Sequence, residues 1–174
     1  MRKGREIIGL PVVNLATGKE IGHVGDLVWC PETRKITGII LNEGGVLSRP
    51  RLIRYQDVVN IGRDAVIVAG EAPEGEADPE TGLRVTQVAG IPVITARGEN
   101  LGTMEDVVFT MTGGELAGYE ISAGLVDDLI SGRSTIPWDA VATWGEEAVI
   151  IKDVPGLEAP EPRRESNAVS HLQE

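Results

Sequence analysis

The chain repeats itself once, and that duplication constrains its fold more than any other feature. Gly9-Leu10-Pro11-Val12-Val13 returns as Gly90-Ile91-Pro92-Val93-Ile94, 81 positions later. Residues 18–28 return as 98–108 at an offset of 80, and Gly38 is matched by Gly118 at the same offset. Residues 53–58 and 62–68 return at an offset of 83, as 136–141 and 145–151. Collinear blocks separated by small insertions are what surface loops of variable length produce. Two copies of about 65 residues are too few and too long for a solenoid. Two small domains are expected.

Within each copy the pattern is that of short strands. Residues 24–30 and 36–41 are apolar, β-branched runs split by Pro31-Glu32-Thr33-Arg34-Lys35, a hairpin signature. Residues 101–111 and 115–122 repeat it around Thr112-Gly113-Gly114. Further strands are expected at 52–55 and 65–68, and at 135–138 and 148–151. Curling so many short strands into a barrel disposes of exposed edges. The segmentation is therefore repeat 1 at 1–69, linker at 70–86, repeat 2 at 87–153 and a disordered tail at 154–174. The linker is acidic and rich in Pro and Gly, a composition poor in core formers. A unit this small buries only about 60% of its unfolded surface, so the two copies are expected to lean on each other.

The ordered set of motifs resembles the PRC-barrel family, which includes the cytoplasmic domain of the photosynthetic reaction-centre H subunit and the C-terminal domain of the ribosome maturation factor RimM. The resemblance rests on residues 21–28, 38–41, 53–58 and 62–68, and again on 101–108, 118–121, 136–141 and 145–151. Copy one departs from the pattern at Arg54-Tyr55, where copy two carries Pro137-Trp138. The resemblance implies an all-β fold of two tandem small barrels acting as a non-enzymatic docking or scaffold module. Its alternatives are an RNA- or ribosome-associated assembly factor, and a photosynthesis- or sporulation-associated accessory protein.

Charge narrows the partners. The net charge of −11 argues against nucleic acid, and aromatics at 3% offer no stacking platform for single strands. The charge is unevenly spread: residues 1–69 carry ten Lys/Arg against seven Asp/Glu, net +3, whereas 87–153 carry three against eleven, net −8. Unlike halves bear on association, so a protein partner or a homodimer is the expectation. No apolar run reaches the roughly 20 residues of a membrane span, and no signal-type apolar stretch follows the charged residues 1–6. The expected setting is cytoplasmic.

The residues that carry chemistry do not assemble into a reactive set. Cys30 is the one cysteine and reads as a small apolar strand residue. His23 has no second ligand at metal spacing, and His171 falls in the tail. Asp26 and Asp106 occupy equivalent positions in separate units and read as hydrogen-bond acceptors for backbone near the hairpin. No catalytic residue, metal site or cofactor is expected. Two loops remain as candidates. Leu125, Val126, Leu129 and Ile130 have the spacing of one apolar helical turn, which either caps a barrel or meets a partner. Arg49, Arg51 and Arg54 are candidates for an anion or acidic-partner contact.

Overall fold

The computed structural model describes residues 1–42, 51–69, 82–122 and 134–153. Repeat 1 runs β1 (Arg2–Lys3), a 3-10 turn (Gly4–Glu6), β2 (Pro11–Asn14), β3 (Glu20–Cys30), β4 (Lys35–Asn42), β5 (Arg51–Arg54), a second 3-10 turn (Tyr55–Asp57), β6 (Val58–Ile61) and β7 (Val66–Val68). Repeat 2 runs β8 (Leu83–Arg84), α1 (Val85–Val88), β9 (Pro92–Thr95), β10 (Asn100–Phe109), β11 (Leu116–Ser122), β12 (Ser134–Pro137), a third 3-10 turn (Trp138–Ala140), β13 (Val141–Trp144) and β14 (Val149–Ile151). The fold is all-β, as the strand pattern led us to expect. Tyr55 and Trp138, read from the sequence as strand residues, instead open the 3-10 turns.

The two sheets have the same order, β5-β4-β3-β2-β7-β6 and β12-β11-β10-β9-β14-β13. In each, the first hairpin strand pairs in parallel with the last strand, setting Val12 against Val66 and Val93 against Val149. Among the described residues no ladder joins β5 to β6 or β12 to β13. Each sheet is therefore curled but not closed by hydrogen bonds. A single 3-10 turn carries the chain across the seam.

The repeats do more than lean on each other. β1 pairs with β10 of repeat 2, setting Lys3 against Val108 and Arg2 against Phe109. β8 pairs with β3 of repeat 1, setting Arg84 against Val28 and Leu83 against Trp29. Each repeat thus hands its opening arm to the other. Residues 82–86, which composition places in the linker, form β8 and the start of α1. The reason is that Val85 and Val88 are buried in the cluster shared by both repeats, with α1 against β3 and β10, while 70–81 lie outside the described residues. The expected tail from 154 lies outside them too.

The arms explain why the middle of β3 and β10 is buried on both faces: Asp26 through Trp29 and Asp106 through Val107 have no exposed member. Buried residues of both repeats, from Ile7 and Val12 to Val149 and Ile151, form one apolar cluster. Two contacts mark an internal two-fold axis. Lys35 pairs with Glu115, its own counterpart, in an isolated antiparallel bridge. Gly4 lies against Val85, also its counterpart, where a Cβ on Gly4 would sit 2.8 Å from Val85 Cγ2. No helix among the described residues is long and apolar enough to cross a membrane.

Candidate functional site

The buried carboxylates hold the arms. A β-bulge follows Val24 and Met104, and such an insertion re-aims the next side chain. That side chain is Asp26 or Asp106. Asp26 Oδ1 accepts the N–H of Leu27 at 2.8 Å and of Thr86 at 3.3 Å, and the Thr86 hydroxyl donates to Asp26 Oδ2. Asp106 accepts the N–H of Val107 at 2.8 Å and of Arg5 at 3.1 Å. The acceptor role expected of both carboxylates is thus played largely toward the opposite repeat. Each meets N–H groups that open a helical turn, donors that have no partner within the turn itself.

The second of these latches is the more polar. Glu120 lies opposite Asp106 in the β10–β11 register and sits 2.6 Å from Lys3 Nζ, whereas Ile40 occupies the matching place in repeat 1. Burial pushes the Asp106 carboxyl above its usual range; the Arg5 and Val107 N–H groups and the Arg5 charge pull it back, and Glu120 adds to the rise.

A groove of about 1010 Å³ opens where the β3–β4 turn of repeat 1 faces β13 of repeat 2. Its rim includes Cys30, Glu32 and Leu83 from one side and Trp138, Asp139 and Trp144 from the other. Trp144 is half-buried on an aromatic cluster, its centroid 4.7 Å from Trp29 and 5.0 Å from Tyr119, both edge-on. Tyr119 also lines the groove, and burial pushes its hydroxyl well above the usual tyrosine range. The Cys30 thiol donates to Glu32 Oε2 at 3.0 Å, and this bond holds the Glu32 carboxyl below its ordinary value. Cys30 is half-buried here, not the apolar filler that its strand position suggested.

A second groove of about 870 Å³ is the related feature of the other half, with Tyr55, Gln56, Val58, Val59 and Ile61 standing where Trp138, Asp139, Val141, Ala142 and Trp144 stand in the first. The turns beneath the two aromatics differ. Gly114 has φ 66° and leaves no room for a side chain, since a Cβ would come 2.7 Å from the Tyr55 ring. Its counterpart Arg34 takes the same left-handed backbone, φ 58°, and lays its guanidinium 4.0 Å from the Trp138 centroid. A left-handed non-glycine costs about 1–2 kcal/mol, a penalty that the cation–π contact offsets in part.

Of the candidates read from sequence, Leu125, Val126, Leu129, Ile130 and Arg49 lie outside the described residues. Arg51 is half-buried opposite Leu41, and Arg54 is exposed opposite Gly38 at the other end of β5. An odd separation along a strand sends these two to opposite faces. His23 is exposed on β3, 3.6 Å from Glu20. Among the described residues no group of His, Cys, Asp and Glu is arranged to hold a metal ion. The aromatic groove escaped the sequence reading. Its signal was present where the repeats disagree, at Ile61/Trp144 and Gln56/Asp139.

The PRC-barrel domain model matches the chain twice, over residues 1–72 and 80–158. The second match begins ahead of β8, so it counts the exchanged arm with repeat 2. The chain is also similar to the uncharacterized protein YrrD of Bacillus subtilis (strain 168), with 24% identity over 136 residues, 78% of each chain.

Proposed function

The chain belongs to the PRC-barrel domain family, and we propose that it is a non-enzymatic protein-docking module whose docking face is the groove between Cys30 and Trp144. The observation that carries this reading is a half-buried pair of tryptophans, Trp138 and Trp144, lining a groove built by both repeats. Large rings at the centre of a concave face are the usual anchors of protein recognition. The buried carboxylates support the non-enzymatic part, because Asp26 and Asp106 already serve as acceptors for the arms. An RNA-binding role draws no support from Arg51 and Arg54, which do not share a face.

A photo-crosslinking residue at Ala142, exposed on the groove, is expected to trap one protein partner in a fixed ratio when introduced into the full chain in its own cells. The same probe at Val59, its counterpart in the second groove, is the control. Absence of any fixed-ratio adduct at Ala142, together with an unchanged partner set for Trp144→Ala, would remove the docking reading.

A further inference from the structure

We infer that the first groove recognises a cationic side chain, arginine or lysine, carried on an extended segment of the protein partner. The inference rests on the docking reading and adds the chemistry of what docks. The duplication supplies an internal control. Both repeats adopt one strand order, so whatever that fold demands of a turn or strand it demands of both. Positions where the grooves differ are released from that demand.

With the exception of Lys152, which stands where repeat 1 has Ala69, the charged and aromatic differences run in one direction. Tyr55 and Ile61 of the second groove become Trp138 and Trp144 in the first, and Gln56 becomes Asp139. Across the groove Thr112 becomes Glu32. Each exchange enlarges a π-face, adds one or adds a carboxylate, the two surfaces on which a guanidinium or ammonium group is stabilised. The second groove is edged by two cations, Lys35 and Arg54, the first by one, Lys152, whose ammonium is engaged by the Asp139 backbone carbonyl. Trp138 already holds one guanidinium, that of Arg34, 4.0 Å from its centroid. The Cys30 thiol donates to Glu32 Oε2 at 3.0 Å and holds its carboxyl below the ordinary value. Asp139 is exposed, and among the described residues its own contact runs through the backbone carbonyl, to Lys152 Nζ at 2.9 Å. The repeat that supplies the rings is net −8 over residues 87–153, so a basic segment is drawn toward it at long range. At about 1010 Å³ the groove matches the upper end of the roughly 300–1,000 Å³ that enclose a drug-sized ligand, room for several residues rather than one.

The chain reports on this groove by itself. Its three tryptophans are Trp138 and Trp144, which line the groove, and Trp29, which packs edge-on to Trp144. Full-length protein is titrated with an acetylated, amidated hexa-arginine peptide while indole emission is followed, with hexa-glutamate as the opposite probe. Hexa-arginine is expected to produce a saturable shift that hexa-glutamate does not. The double variant Glu32→Gln/Asp139→Asn, at exposed positions, is expected to weaken it roughly tenfold. Lys35→Gln/Arg54→Gln is expected to leave it unchanged or slightly stronger. Equal binding by the wild type and by Glu32→Gln/Asp139→Asn would reduce the effect to general attraction by an acidic chain and overturn the inference, as would the absence of any shift. If crosslinking through Ala142 still traps a fixed-ratio partner in either case, docking stands and only the cationic assignment falls.

Discussion

Lys35 and Glu115 occupy the same position in two successive repeats, and they pair with one another across an antiparallel bridge. The flanking bonds are matched as well: Ile36 N–H donates to the Gly114 carbonyl at 2.8 Å and Leu116 N–H to the Arg34 carbonyl at 2.9 Å. A residue that meets its own counterpart lies on a two-fold axis. The chain is therefore built like a two-fold dimer whose protomers have been joined end to end, with an isologous interface inside a single polypeptide.

That arrangement makes the covalent joint dispensable once the fold has formed. A protease site placed within residues 70–81 of the full chain is expected to be cut without separating the halves, because β1, β8 and the shared cluster hold them. The fragments should co-elute at the size of the uncut chain in gel filtration. Elution as two smaller species would show that the exchange does not hold them together.

Gly4→Val tests the crossing of the arms. A Cβ there meets Val85 Cγ2 at 2.8 Å and Val107 Cγ2 at 3.1 Å, both in buried residues. Overpacking of this kind costs about 1–3 kcal/mol in urea unfolding. Val85→Ala opens the opposing side, so the double variant is expected to recover part of the loss, with a favourable coupling in the mutant cycle.

Asp106 gives the latch a pH dependence of defined sign. Its carboxyl lies above its usual value in the native protein, chiefly through burial. The native state then holds the proton more tightly than the unfolded chain. Stability is greatest below the ordinary carboxyl value, falls as pH rises through the raised native value, and levels off above it. Urea midpoints between pH 4 and 7 should show this decline in the wild type. In Asp106→Asn the decline from this group should be missing.

The two tyrosines, Tyr55 and Tyr119, are both raised by burial, and Tyr55 O–H donates to the Met111 carbonyl at 2.8 Å. Phenolate absorbance is therefore expected to stay below half of its full value at pH 10, where a free tyrosine is half ionised. The remainder should emerge at higher pH, the Tyr119 part in step with loss of the folded circular dichroism signal. Half-ionisation at pH 10 in the folded protein would contradict the burial of both rings.

Much of this was legible in the residues alone. The apolar runs around Leu27 and Ile39 announce strands because alternation and branching are local properties, read over a few positions. The arms were not legible. Residues 1–6 read only as the charged start of repeat 1 and 82–86 as linker, since their pairing partners stand about a hundred and about fifty-five positions away. Nothing in Arg2-Lys3 or Leu83-Arg84 states which strand they will extend. The groove was missed for a related reason. Trp29, Tyr119 and Trp144 are scattered over more than a hundred positions, and only the exchange brings the first beside the other two.

The amino-acid order by itself determined that there are two copies of one strand-built unit, where their hairpins turn and which half is acidic. These follow from periodicity, glycine placement and the count of charges, which need no third dimension. The tertiary structure decided that the copies trade their first strands, that Asp26 and Asp106 fasten the trade, and that the two grooves differ in kind. The physical reason is that a unit of this size leaves much of its apolar surface uncovered. The surface that covers it belongs to the other copy, a relation between distant parts that exists only once the chain has folded.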